Sequence, residues 1–140
     1  MRRDLVWDGC HNVRDLGGLR AAGGRRTRWG AVVRSDTPDR LTASGWAAAA
    51  AHGVRTIVDL RIPGEHHADP GHRPPGMTVV SLPLDSRDDP GHGRYNGTPF
   101  YLRHHLDSLP HRSARVLRAI AQAPLAGCSC TAWRAATARA

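Results

Sequence analysis

The sequence predicts an α/β domain built around a mainly parallel sheet. A helical pattern runs directly into an apolar strand in RLTASGWAAAAAHGVRTIVDLR, residues 40–61, which is the helix-to-strand step typical of such domains. Further short apolar runs and helical patterns follow along the chain. With 140 residues and no internal repeat or linker, the chain has the length of one domain with a single hydrophobic core.

The first strand and the first helix are predicted between residues 27 and 53. TRWGAVVRS (27–35) holds a short apolar run at its centre and is predicted as a strand. In the helix that follows, Thr42 can cap the N-terminus, Leu41 occupies a staple position, and Gly53 suits a left-handed stop. Because alanines fill most of the helix, Trp46 is its one bulky anchor.

Two more strands and two loops follow. The nearly continuous apolar run at 54–61 is typical of a strand covered on both faces. Residues 62–76 are rich in Pro, Gly and His and are predicted as a loop. TVVSLPL (78–84) is predicted as another strand, and Asp85 opens a second polar loop after it.

Two helices are predicted next, and the pattern then changes. TPFYLRHHLDSL (98–109) and HRSARVLRAIAQA (111–123) carry helical spacing. The second helix is expected to pack through i, i+4 pairs on one face, namely Val116–Ile120 and Leu117–Ala121. A buried strand should follow such a helix, but CSCTAWRAATARA (128–140) has no run of large aliphatic residues. We therefore expect the sheet to end one strand short, which threatens folding because neighbouring strands are left unpaired.

The composition favours an anionic partner. The chain has 20 basic and 12 acidic residues, a formal net charge of +8, and no lysine, so every basic residue is arginine. Arginine binds phosphate and carboxylate through its planar fork. The alternative explanation is GC-rich codon bias, which also favours arginine, alanine, glycine and proline. A nucleic-acid partner is not expected, because the sequence has no reading motif and no aromatic stacking platform.

Cysteine usage and hydropathy indicate a soluble cytoplasmic protein. The three cysteines (Cys10, Cys128, Cys130) are too few and too unevenly spaced for a disulfide framework. No apolar run approaches the roughly 20 residues that span a bilayer, and the N-terminus lacks a signal core. The histidine pairs His66–His67 and His104–His105 lack metal-ligand spacing. Neither a metal site nor a cofactor is expected.

Four spaced segments carry a family resemblance. HNVRDLGGL (11–19), RSDTPDRLT (34–42), GVRTIVDLR (53–61) and Glu65 occur in order. Together they resemble the bacterial and fungal tyrosine-protein phosphatases with an N-x-R-D-L-G-G signature, over about residues 5–127. The resemblance implies a three-layer α/β/α cysteine-phosphatase-like domain acting on phosphotyrosine, phosphoserine or phosphothreonine, or phosphoinositides. It also implies a catalytic loop, H-C-x-x-G-[KR]-D-R-T-G, that follows a central strand and opens a helix.

The signature residues have structural as well as catalytic interpretations. Gly17 and Gly18 can form a tight turn with positive φ, and Asp15 can accept hydrogen bonds from local backbone amides. Arg14 and Asp15 are expected to form a structural ion pair rather than to contact substrate. A buried or rim network behind the sheet is expected for three further residues, Asp59, Arg61 and Glu65.

The acid that protonates the leaving oxygen in intact relatives is expected after the SLPL strand. The resemblance places a loop facing the site there, so Asp85 is the candidate general acid. Asp88 and Asp89 are the fallback candidates. The alternative is that all three belong to a solvated loop.

The tail contains a literal C-x5-R pattern, Cys128 to Arg134. A phosphatase loop needs a thiolate of lowered pKa, backbone amides curled around the phosphate, and an arginine clamp. Here the interior has no glycine, Trp133 precedes the arginine, Ala135 replaces the usual hydroxyl, and no histidine precedes the cysteine. We interpret the match as coincidence, so the nucleophilic cysteine and the loop arginine are not present in the family's context.

A shift of the reading frame explains the tail. Written with GC-rich codons and read from the third base of the Gly127 codon, the tail gives Leu-Leu-Val-His-Cys-Leu-Ala-Gly-Arg-Asp-Arg-Thr-Gly, a buried strand followed by an intact family loop. We hypothesise a frame slip near Gly127, by mutation or by sequencing error. The chain then divides into residues 1–127, the N-terminal part of a phosphatase domain, and residues 128–140, an aberrant tail replacing the catalytic loop.

Two functions from different classes remain. In the first, the family hydrolyses phosphate monoesters of proteins or phosphoinositides through a phosphocysteine intermediate, and this chain is an inactive member. In the second, the chain is a non-catalytic protein that binds phosphorylated or acidic partners through its arginines. The simplest version of the first function is that the chain is the product of a pseudogene and has no activity.

Overall fold

The computed structural model describes residues 2–65, 73–89, 98–124 and 128–131, the last four by their backbone. The predicted loop residues 66–72, with His66–His67, and 90–97 fall outside these ranges. The helices and strands, in chain order, are β1 (Arg14–Asp15), β2 (Val32–Ser35), α1 (Ala43–Ala51), β3 (Thr56–Asp59), β4 (Thr78–Ser81), α2 (Pro99–Ser108), α3 (Pro110–Gln122) and β5 (Cys128–Thr131). The strands and helices predicted from the sequence before residue 124 are confirmed within a few residues.

The strands form one sheet in the order β1-β2-β5-β3-β4. β1 is antiparallel to β2, whereas β2, β5, β3 and β4 run parallel. The predicted α/β class with a mainly parallel sheet is therefore confirmed.

The expectation that the sheet ends one strand short is wrong. Residues Cys128–Thr131 form β5, which pairs on one side with β2 and on the other with β3. A strand between two parallel neighbours is held by backbone hydrogen bonds on both edges, and these bonds require no particular side chain. Small and β-branched residues such as those of CSCT can therefore occupy the slot without a long aliphatic run.

Helix α1 begins and packs as its sequence predicts. The Thr42 hydroxyl accepts a hydrogen bond from Gly45 N–H at 3.2 Å, and Gly53 has φ of 98° at the stop. Trp46 is buried in the larger core cluster together with Leu41 at its N-terminus and Ile57 of β3. This cluster also contains Trp7, Val13, Val33, Ala49 and Val54.

Helix α3 packs through a narrower face than expected. Val116 is buried against Val58 of β3, with Ile120 partly buried in the same cluster. Leu117 is 66% exposed and Ala121 is also exposed, so the second predicted i, i+4 pair does not pack. The helix contacts β3 through one narrow face that contains Val116 and Ile120. Leu117, the next residue after Val116, is rotated away from that face.

Candidate functional site

Four parallel strands end together at one edge of the sheet, which we call the carboxyl edge. The register aligns their last residues, Ser35, Thr131, Asp59 and Ser81. Ligands of parallel α/β sheets bind in the crevice outside the carboxyl ends of the strands. The loops that follow β2, β3 and β4 therefore form the candidate site.

The register also fixes the position of the tail cysteines. Cys128 is the first residue of β5 and pairs with the first residues of β2 and β3. At about 3.3 Å per residue, it lies roughly 10 Å along the strand from Thr131 at the carboxyl edge. Cys130 lies inside the strand, and Arg134 falls outside the described residues.

Cys10 brings a thiol to the carboxyl edge. Its Sγ lies 3.6 Å from the carbonyl oxygen of Asp36 and 3.7 Å from that of Thr37, both directly after β2. Burial, followed by the nearby Asp36 carboxylate, raises the pKa of Cys10 to about 11. A nucleophilic cysteine needs the opposite shift, so at neutral pH Cys10 is a protonated thiol.

A buried ion-pair network follows β3. Arg61 donates to both carboxylate oxygens of Asp59, with Nη2–Oδ2 at 2.7 Å, and its Nη1 donates to Thr37 Oγ1 at 2.8 Å and pairs with Asp39. Burial alone would lower the pKa of Arg61, but the two carboxylates raise it, so the guanidinium stays charged. Two carboxylates already balance this cation, which makes Arg61 a structural residue of the edge.

The predicted network is thus confirmed for Asp59 and Arg61 and wrong for Glu65. The Glu65 side chain is exposed and accepts a long 3.4 Å hydrogen bond from the backbone N–H of Ile62. This contact closes the local turn after β3 and does not extend the buried network.

A second polar cluster lies where the loop after β4 meets α2. Asp85 Oδ1 accepts a 3.2 Å hydrogen bond from the Tyr101 hydroxyl and lies 2.8 Å from His105 Nε2. Burial, together with the Asp85 carboxylate, raises the pKa of Tyr101 to about 12. Tyr101 and His105 are one helical turn apart on the buried face of α2, and their rings lie 4.9 Å apart between centroids.

The two fallback acids differ from Asp85. Asp89 accepts hydrogen bonds from Arg112 Nη1 at 2.5 Å and Nη2 at 3.0 Å, and from the backbone N–H of Ser86 at 2.6 Å. Burial alone would raise the pKa of Asp89, but the Arg112 and Ser86 hydrogen bonds outweigh it and lower the pKa. Asp88 is exposed, with its backbone N–H donating to Ser86 Oγ. Asp85, Asp89 and His105 each offer one ligand atom, all within 4.8 Å of one another.

The signature turn lies away from the carboxyl edge. The buried Asp15 carboxylate accepts hydrogen bonds from Gly17 N–H at 2.7 Å and from Gly30 N–H at 2.9 Å, and its Oδ2 lies 3.0 Å from His52 Nε2. Gly30 precedes β2 and His52 precedes β3, so this carboxylate ties together the opposite end of the sheet. The interpretation of Asp15 as a ligand of backbone amides is confirmed.

The expected ion pair between Arg14 and Asp15 is wrong. Arg14 Nε pairs with Asp4 Oδ1 at 2.9 Å, and both of these side chains are exposed. Neighbouring residues of a strand point to opposite faces, which separates Arg14 from the buried Asp15. The two glycines differ: Gly18 has φ of 74°, whereas a Cβ on Gly17 would lie 2.6 Å from Trp29 Cδ2.

The sequence interpretation singled out Asp85, Asp89, Asp59 and Arg61. It did not anticipate the residues that contact them in the structure, namely Tyr101, His105, Arg112 and Asp39. The i, i+4 pair of polar rings on α2 was a usable signal for two of them. The pairing of Asp89 with Arg112 depends on how the loop after β4 meets α3, for which no sequence spacing gives a rule. Among the described residues, no helix is both long and apolar enough to cross a membrane.

Comparison with known proteins identifies the family to which the chain belongs. A protein of Cupriavidus necator, provisionally named a tyrosine-protein phosphatase, is 45% identical over 64 residues, which cover 46% of this chain and 23% of that relative. The chain therefore matches less than a quarter of the relative's length. The profile of the tyrosine phosphatase family matches residues 5–132, from the N-terminal segment to the end of the central strand. With a match over most of its length, the chain belongs to the tyrosine phosphatase family.

Proposed function

We propose that the chain is a member of the phosphate-monoester hydrolases that does not itself turn over substrate. In intact relatives, a cysteine thiolate attacks phosphorus and the leaving oxygen takes a proton from an acid. Water then hydrolyses the phosphocysteine and releases phosphate. Phosphotyrosine is the proposed substrate class, with phosphoserine, phosphothreonine and phosphoinositides as further candidates. The proposed architecture is the three-layer α/β/α domain of that family.

The position of the cysteine thiols is the observation that supports the proposed lack of activity. The family's nucleophile follows the central strand directly, but residues 132–140 contain no cysteine. Cys128 begins β5 at the far end from the carboxyl edge. Cys10 is close to the edge but has a pKa of about 11, so it is protonated where a thiolate is needed.

Assay of this chain with para-nitrophenyl phosphate tests the proposal. We expect no turnover above buffer, and the same result for Cys128→Ser and Cys10→Ser. Turnover that Cys128→Ser abolishes would show that the literal C-x5-R pattern works and would overturn the proposal.

The frame-slip hypothesis gains support from the central strand. In the shifted reading, Leu-Leu-Val-His occupies the region of β5 and the cysteine follows it directly, where the family loop belongs. Sequencing the gene across codons 127–140 tests this. Codons that cannot encode the H-C-x-x-G-R-D-R-T-G reading exclude the slip.

Asp85 is the proposed general acid of the restored enzyme. It follows β4 at the carboxyl edge, whereas Asp89 is kept ionised by Arg112. In a protein translated in the shifted frame from codon 127 onward, we expect Asp85→Asn to lower kcat for phenyl phosphate by about 10²–10⁴-fold. The loss should be much smaller for para-nitrophenyl phosphate, whose leaving group needs no proton. Asp88→Asn is the control, and equal losses on both substrates would exclude the acid role.

A second candidate function is non-catalytic binding of phosphorylated or acidic partners. The register places Arg34 of β2 directly opposite Arg14 of β1, and both are exposed. Like charges directly opposite each other destabilise a strand pair, and an anion bound between them would relieve that repulsion, although Arg14 already has the exposed Asp4 as one partner. We expect salt-sensitive binding of a phosphotyrosine peptide without hydrolysis, weakened by Arg34→Ala and unchanged by Arg118→Ala on α3. Binding that both variants leave intact would contradict this function.

A further inference from the structure

The cluster between the loop after β4 and α2 contains a buried nitrogen without a hydrogen bond. His105 is 8% exposed, and its Nε2 is fully shielded and makes no hydrogen bond with any residue that the structure describes. The same atom lies 2.8 Å from Asp85 Oδ1 and 3.7 Å from Asp89 Oδ2. The His105–Asp85 distance is short enough for a hydrogen bond, but the angle between the two groups is not suitable for one. Buried polar atoms in this condition are rare in folded proteins and often mark a ligand position.

We propose that Asp85, Asp89 and His105 form a binding site for one divalent first-row transition-metal ion. One imidazole nitrogen and two carboxylate oxygens are a donor set that Zn²⁺, Mn²⁺ and Co²⁺ accept. The site shares Asp85 with the phosphatase proposal but uses no residue of the catalytic loop, and its test measures metal binding by this chain, so the two proposals can fail separately.

The donor atoms already lie at nearly the right separation. All three are within 4.8 Å of one another. Ligand atoms around a tetrahedral zinc ion with bonds of about 2.0–2.1 Å stand roughly 3.3 Å apart. The two measured distances from His105 Nε2, 2.8 and 3.7 Å, bracket that value. Side-chain rotations that replace one of the two hydrogen bonds now accepted by Asp89 Oδ2 would bring the three atoms onto one ion, leaving a fourth position for water.

The charge of the cluster suits a cation. Asp89 is held by the bidentate Arg112 guanidinium, which also fixes the orientation of that carboxylate. Asp85 receives a hydrogen bond from Tyr101 and has no arginine partner among the described residues. Because an imidazole that ligates a metal is neutral, the two carboxylates and one guanidinium would leave one net negative charge facing the ion. Supporting contacts of this kind are typical of metal ligands.

The spacing of residues in the sequence does not predict this metal site. Its ligands come from a loop and from a helix that begins ten residues after that loop's last described position, whereas spacing rules detect ligands close together in sequence. His104 and His105 are adjacent, yet His104 is half-buried and its Nδ1 contacts Ser108 Oγ at 3.2 Å. The two histidines therefore provide a matched pair for testing.

The test is titration of the metal-free full chain with Zn²⁺ alone, followed by calorimetry, and with Co²⁺ followed by its visible absorption. We expect one ion per chain. We expect His105→Gln and Asp85→Asn each to weaken binding at least tenfold and to abolish the Co²⁺ spectrum of a site with nitrogen and oxygen ligands. His104→Gln and Asp88→Asn, which change neighbouring residues outside the cluster, should bind as the parent does.

Circular dichroism of each variant shows whether a loss of metal binding comes from a disturbed fold. If His105→Gln disturbs the fold, the isosteric Asp85→Asn carries the comparison. Absence of stoichiometric binding by the parent overturns the proposal. Equal loss in His104→Gln also overturns it, because the ion would then be bound by histidines outside the cluster.

Discussion

Among single residues, the buried carboxylates of Asp15 and Asp59 have different kinds of partner. Asp15 accepts hydrogen bonds from the backbone amides of Gly17 and Gly30, whereas Asp59 pairs with the Arg61 guanidinium. Both carboxylates are satisfied inside the fold. The signature residue Asp15 is therefore explained by the need to hold a turn against the amino ends of β2 and β3.

Removal of the Asp15 carboxylate should destabilise the protein. Asp15→Ala leaves two backbone N–H groups without their acceptor, and we expect a loss of about 2–4 kcal/mol in the free energy of unfolding. Urea denaturation measures it. Asp4→Ala breaks an exposed ion pair with Arg14 and should cost less than about 1 kcal/mol. Equal effects of the two substitutions would contradict the structural role.

The Cys10 thiol should resist alkylation until the solution is strongly basic. With a pKa of about 11, about one thiol in a thousand is ionised at pH 8. We expect the iodoacetamide rate at Cys10, followed by peptide mass spectrometry, to rise until about pH 11. Because the folded pKa is raised above the unfolded value, Cys10 also makes folding less stable as the pH rises from about 9 to 11. Rapid alkylation at pH 7 would show that Cys10 is a thiolate.

At the scale of elements, helix α3 offers a test of which face packs. Val116 is buried against Val58, and its neighbour Leu117 is exposed. We expect Val116→Ala to lower the free energy of unfolding by about 1–2.5 kcal/mol. Leu117→Ala should change it by less than about 0.5 kcal/mol. Thermal or urea unfolding of the two variants distinguishes them, and a larger loss from Leu117→Ala would mean that α3 is rotated.

Local signals explain which elements were predictable. The Thr42 cap, the Gly53 stop and the apolar run of β3 act within a few residues, so α1 and β3 follow from the sequence. β5 was missed because its stability comes from two neighbouring ladders that lie far away in the sequence. The same limit applies to the candidate site: Asp85 directly follows a strand and could be proposed from the sequence, whereas Arg112 reaches Asp89 from another element.

At the scale of the whole molecule, β5 lies between β2 and β3 and completes the sheet. Ser129→Pro removes a backbone donor from this central strand, and we expect it to abolish cooperative folding. Ser129→Ala keeps the backbone and should fold. Amide hydrogen exchange provides a second measurement, since the backbone amides of β5 should be protected in the parent. Rapid exchange of these amides in a chain that is otherwise protected would exclude the central position.

The place of β5 has a consequence for the newly made chain. It is the last strand of the described chain to leave the ribosome, although it stands in the middle of the sheet. Until it arrives, the facing edges of β2 and β3 expose unpaired N–H and C=O groups that can capture another chain. The protein should therefore depend on chaperones during synthesis more than its size suggests.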